Sequence, residues 1–173
     1  MAGEQNVIVP HDKGMPRIVA GVHCTAASDA AVDWAAREAR LRRARLHLVL
    51  ARDPAVSRRA PYAHPAAEGS RDADAVWLAG LAVRAARVLP HGWVSTELAD
   101  DLPARVLANR AAGASLLVLG AAPTGFLGPV ARACLREAPC PVVIVVPGAP
   151  PAPAAPRARL ATASHPRKEV RAP

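Results

Sequence analysis

The sequence predicts one α/β domain: a single doubly wound, five-stranded parallel sheet with helices on both faces, Rossmann-like in layout. Three observations predict it. Five short stretches that read as strands alternate with stretches of helical apolar period. The stretches between runs are long enough for the crossovers that parallel strands require. Apolar residues make up 51% of the chain but aromatics only 3%, so the core must be Ala, Val and Leu, a mixture suited to helices lying close on a buried sheet.

Taken in order, Arg17 to Val22 reads as the first strand, with Thr25 and Ser28 as helix caps before Ala31, Trp34, Ala35 and Ala39 at helical spacing. Leu46 to Leu50 is the second strand, in which His47 alternates as a packing or surface residue. Arg52 to Arg71 mixes Pro, Ala, Arg and Ser without period and reads as a long mobile loop. A helix over Asp72 to Leu89 follows, with Val76, Ala79, Val83 and Ala86 on its inner face and Pro90 at its end. Trp93 to Leu98 is the third strand.

Asp100 and Asp101 stand before Pro103 as a helix start, with Leu107, Ala108 and Ala111 turned inward. Ser115 to Leu119 is nearly pure apolar and reads as a strand buried on both faces. A Gly/Pro-rich turn leads to a helix from about Pro129 to Glu137, with Ala131, Cys134, Leu135 and Ala138 in register. Pro139 and Pro141 stop it, and Val142 to Val146 is the last strand.

The 173 residues suit one domain with tails. Residues 1–15 read as a disordered lead, 16–147 as the domain, and 148–173 as a disordered basic tail rich in Pro, Ala and Arg. Half of the net charge of +8 sits in that tail, which also holds six of the 18 prolines. No aromatic accompanies those charges, so the stacking platform of a single-strand binder is missing and nucleic acid is not the expected partner. No apolar run approaches the roughly 20 residues that cross a bilayer, and the start lacks a signal-peptide layout, so no membrane association and a cytoplasmic location are expected. Cys24, Cys134 and Cys140 form no C-x-x-C pair and are expected to be reduced thiols.

A doubly wound sheet binds ligands beyond the carboxyl ends of its strands, which here means Gly21 to Thr25 and Gly120 to Val130. Three segments show more than the fold rule does. They are I-V-A-G-V from Ile18 with A-V-D-W-A-A-R-E-A from Ala31; P-A-R-V-L from Pro103 leading to S-L-L-V-L-G ending at Gly120; and A-P-C-P-V-V-I-V-V from Ala138. In order and spacing they resemble the universal stress protein family from about Arg17 to Pro147. The resemblance implies a strand order of 3-2-1-4-5 and a homodimer pairing through Val142–Val146. It also implies ATP bound through an Asp after the first strand and a phosphate loop of the form G-x-x-G-x9-G-[ST].

The chain departs from that pattern. His23 stands where the family's Asp would be, and Cys24 and Thr25 replace Gly-Ser. Gly120 matches the first loop glycine, Pro123 stands at the second, Gly128 at the third and Pro129 at the hydroxyl residue. Four residues separate Pro123 from Gly128 where the family has nine, a loss of up to roughly 17 Å of extended reach. Pro129 has neither N–H nor hydroxyl.

The resemblance therefore implies a relic nucleotide site at Gly21, Val22, His23 and Leu46, continued by Gly120, Ala122, Gly125, Gly128, Pro129 and Val130. ATP is expected to bind weakly or not at all; the alternative is an ATP sensor with a rebuilt loop. His23 and Cys24 are too few to hold a metal and, on an extended segment, point apart. No Ser elbow, paired carboxylates near that pocket or H-E-x-x-H is present. The sequence thus points to a non-enzymatic stress-response module acting through contact with a protein partner that the sequence does not name.

Overall fold

The computed structural model describes residues 14–55 and 71–148. The expectations for the amino-terminal segment, most of the 52–71 loop and the tail fall outside them. Nine elements are described: β1 (Arg17–Val22), α1 (Ala26–Arg42), β2 (Arg45–Ala51), α2 (Arg71–Ala86), β3 (Val94–Ala99), α3 (Pro103–Ala111), β4 (Leu116–Gly120), α4 (Pro129–Glu137) and β5 (Val142–Val145). The strands form one sheet in the order β3-β2-β1-β4-β5, with every neighbouring pair parallel.

Side chains of a strand alternate between faces, so each central strand feeds two cores. On one face Ile18, Ala20, Leu46, Leu48, Leu50 and Val118 pack against Ala31, Val32, Ala35 and Ala39 of α1 and Leu78, Leu81 and Ala85 of α2. On the other, Val19, Val49, Leu117 and Leu119 meet Val106, Leu107 and Ala111 of α3 with Ala131 and Cys134 of α4. The alanine face of α1 lets that helix lie close on the sheet. Ile18, Leu46, Leu48 and Leu117 are fully buried, and truncating such a leucine to alanine costs about 2–5 kcal/mol.

Polar contacts tie the helix ends to the sheet. Arg17 donates from Nη2 to the carbonyls of Arg110 and Ala112, 3.0 Å each, which places a cation at the carboxyl end of α3. α1 ends at Arg43, whose φ of 52° is left-handed; its N–H bonds back to Ala39 and Arg40.

Several expectations are corrected. α2 turns Leu78, Leu81 and Ala85 inward, while Val76 and Val83 are 74% and 62% exposed, as are Ala79 and Ala86. The helix carries two apolar stripes, and the sheet takes the one with the larger leucines. It also ends at Ala86, with Leu89 buried beyond it. Leu135 is exposed on α4, whose core-facing side is made by Val130, Ala131 and Cys134. Thr25 occupies the N-cap of α1 but makes no side-chain cap bond. Asp100 pairs with Arg71, and Asp101 accepts the Leu102 N–H at 2.7 Å and pairs with Arg105, so neither caps α3 in the ordinary way. Trp34 is half-buried against the α1 core.

Candidate functional site

The carboxyl ends of β1 and β4 open on a cavity of about 210 Å³. Its walls come from the β1–α1 connection, the ends of β2 and β4, and the starts of α3 and α4. Val22, Val49, Ala51, Leu107, Leu119 and Val130 make them largely apolar; His23, Thr25 and Ser28 supply the polar side chains. Among the described residues that line it there is no Asp, Glu, Lys or Arg.

Ser28 organises the first wall. Its buried hydroxyl accepts the His23 N–H at 2.8 Å and donates to the His23 carbonyl at 2.5 Å, closing the turn into α1. The His23 amide is thereby spent inside the protein, and the His23 ring is exposed. The position of Ser28 suggests a helix cap, but its role is to close this turn, five residues on from His23.

The second wall is the β4–α4 connection. Gly120 is forced by packing: a Cβ there would lie 2.5 Å from the Ala27 carbonyl oxygen of α1. A turn closes from Ala122 to Gly125, whose N–H donates to the Ala122 carbonyl at 2.8 Å and whose φ is +76°. Gly128 is the N-cap of α4, with an ordinary φ of −65° and open space where its Cβ would be. Pro129 follows as the first residue of α4. It offers no N–H, and the next unsatisfied helix-start amides are those of Val130 and Ala131, both in the cavity wall.

Of the residues singled out in the sequence, Gly21, Val22, His23, Gly120, Gly128 and Val130 are brought together around this cavity. Ala122, Gly125 and Pro129 are exposed in the same connection but do not line it. Leu46 sits near the amino end of β2, paired with Ile18 and fully buried in the core. The β2 residues that reach the cavity are Val49 and Ala51, which parity along the strand from its carboxyl end would have found.

A charged cluster adjoins the mouth. Asp74, buried at the start of α2, accepts from Cys24 Sγ at 3.6 Å and pairs with Arg52 Nε at 3.1 Å. Burial pushes the Cys24 thiol above its ordinary pKa, and the Asp74 charge adds to the shift. That makes it a poor nucleophile. Nothing local in the sequence marks Asp74, because the contact spans 50 positions. No group of three His, Cys, Asp or Glu among the described residues is placed to hold a metal ion.

A family model of the universal stress proteins matches residues 15–146. The chain belongs to that family. Its fold agrees with solved structures of members at low identity. The universal stress protein UspA of Lactobacillus plantarum is 21% identical, with a TM-score of 0.57 over 75% of this chain and 97% of that one. A universal stress protein of Archaeoglobus fulgidus, solved in complex with dAMP, is 19% identical, with a TM-score of 0.55 over 75% of this chain and 96% of its own. A family protein of Arabidopsis thaliana, solved with AMP bound, is 18% identical at a TM-score of 0.55, covering 81% and 97%. No curated protein sequence matches the chain. Within the family frame the sheet order expected from the resemblance is the one observed. No helix among the described residues is long and apolar enough to cross a membrane.

Proposed function

We propose that this universal stress protein is a non-enzymatic, cytoplasmic stress-response module that acts through protein contacts and has lost most of its affinity for ATP. The observation that carries this reading is the uncharged wall of the cavity. A triphosphate needs cations or several converging N–H donors, and a ribose is commonly held by a carboxylate. The lining residues offer neither charge, Pro129 withholds a donor at the start of α4, and the His23 amide is engaged by Ser28. Each missing charge-assisted bond costs about 1.5–3 kcal/mol, so two or three weaken binding by orders of magnitude. Gly120, which looks like a remnant of a phosphate loop, is accounted for by the approach of Ala27. The absence of catalysis is supported by the use of the Ser28 hydroxyl, which bonds the His23 backbone and not its ring, so these two residues form no nucleophile–base pair.

The module is proposed to act as a homodimer joined through β5. Val142 to Val145 form a sheet edge and are half-buried, and an apolar edge of this kind calls for a cover. Val143→Lys in the full chain tests this: sedimentation at tens of micromolar should show a smaller particle than the wild type, and an unchanged mass contradicts it.

A second reading has one observation in its favour. Gly128 leaves open space at the cavity wall, next to the amides of Val130 and Ala131, and two relatives were solved with adenosine monophosphates. On this reading the chain is a nucleotide sensor with a rebuilt, shortened loop. A graft separates the two: His23→Asp, Pro123→Gly and Pro129→Ser with five residues inserted before Gly128. The proposal expects the graft to gain ATP affinity that Pro129→Ser alone does not; a wild type that binds as tightly as the graft overturns it.

A further inference from the structure

The outer face of α2 is apolar without serving the fold. Val76 and Val83 are 74% and 62% exposed, and Ala79 and Gly80 between them are exposed too. At 3.6 residues per turn these positions lie on the side of the helix opposite Leu78, Leu81 and Ala85, which face the sheet. Gly80 is the telling residue. Mid-helix glycine costs roughly 1 kcal/mol relative to alanine, yet a Cβ at Gly80 would meet nothing within 4 Å and its backbone is right-handed. Among the described residues nothing requires a glycine there. Glycine is the residue that lets a second helix cross closely.

The stripe is also self-complementary. Its centre falls between Ala79 and Gly80; Val76 and Val83 are equidistant from it, and so are Asp72 and Arg87. Asp72 and Arg87 stand about 22 Å apart along the axis, are exposed, and make no ion pair among the described residues. A two-fold axis through the centre sets Asp72 against Arg87 of a second copy, Val76 against Val83, and Ala79 against Gly80. It also lays the positive end of one helix dipole beside the negative end of the other. An isologous interface demands this kind of self-matching patch.

We infer that the outer face of α2 is a two-fold interface for a second copy of this chain, packed antiparallel across Gly80 and framed by Asp72–Arg87 ion pairs. α2 lies over the β3 side of the sheet, away from β5, so this surface is separate from the proposed β5 contact and does not depend on it.

Gly80→Cys in the full chain, with Cys24 and Cys140 changed to Ser, tests it, because Gly80 sits beside the two-fold axis. Mild oxidation at low micromolar concentration should give a disulfide-linked dimer at least tenfold faster than Leu41→Cys, another exposed position off the stripe. Adding Asp72→Arg should slow the cross-link about tenfold, and adding Arg87→Asp to that chain should restore it. Sedimentation of chains that keep Gly80 and carry Val143→Lys to remove the β5 contact should follow the same order: association lost with Asp72→Arg, regained with the double exchange. Cross-linking no faster than at Leu41→Cys, which is also the outcome if residues 56–70 cover the stripe, overturns the inference. So does a double exchange that restores neither rate nor association.

Discussion

The Ala27 carbonyl oxygen of α1 stands 2.5 Å from where a Cβ on Gly120 of β4 would be. Glycine at this position lets the first helix settle on the sheet beside the cavity. The residue has therefore a structural reason to persist whether or not a phosphate ever approaches it.

Gly120→Ala is expected to destabilise the protein by about 1–3 kcal/mol, the usual cost of forcing an atom into a packed site. Denaturant unfolding measures it. A neutral effect would mean α1 can retreat, and Gly120 would again need a ligand to explain it. Gly128→Ala, by contrast, is expected to be nearly neutral, since a Cβ there meets nothing.

Cys24 is expected to alkylate more slowly than a thiol of the unfolded chain, because burial and Asp74 both disfavour its thiolate. Asp74→Asn should speed the reaction a few-fold, as a part-exposed neighbouring charge is worth up to about 1 kcal/mol. Iodoacetamide labelling followed by mass spectrometry reads both rates. No acceleration would show that Asp74 does not control the thiol.

His47 sets a pH dependence. Its Nδ1 lies 2.9 Å from Ser95 Oγ and its Nε2 3.0 Å from Glu97 Oε2, while Arg110 grips the same carboxylate at 2.6 and 2.7 Å. Burial holds His47 below its ordinary value of 6.5, helped by Arg17 and Arg110 and opposed by Glu97. The unfolded chain then takes up the proton first on acidification. The stability owed to neutral His47 is full above 6.5 and is lost as pH falls from there toward the lower folded value. Glu97, held low mainly by Arg110, contributes stability above its ordinary 4.5 and loses it only at lower pH. His47→Gln should therefore flatten the fall in unfolding free energy as pH drops below 6.5. Parallel curves for wild type and variant would contradict this.

Much of this was legible beforehand because it is local or periodic. All five strands are found within a residue of their expected ends, because short β-branched or apolar runs bounded by turn residues mark them. The fold rule points to Gly21 to Thr25 and Gly120 to Val130, and of these Gly21, Val22, His23, Thr25, Gly120, Gly128 and Val130 line the cavity. The face of α2 did not, because its two stripes share one period and only the neighbouring sheet decides which is inside. Asp74 beside Cys24, and Ser28 folded back on His23, were hidden for a different reason. Both depend on where a chain turn brings a side chain, which spacing alone does not encode. Leu46 was placed at the cavity, but parity and position along β2 put it in the core.

Titration calorimetry of the wild-type chain with ATP tests the central claim most directly. With an uncharged cavity wall, the His23 amide engaged by Ser28, and Pro129 opening α4, no saturable heat is expected up to millimolar nucleotide. A dissociation constant below about 100 μM, roughly 5.5 kcal/mol of binding free energy, would contradict the account and show that the shortened loop still builds a working phosphate site.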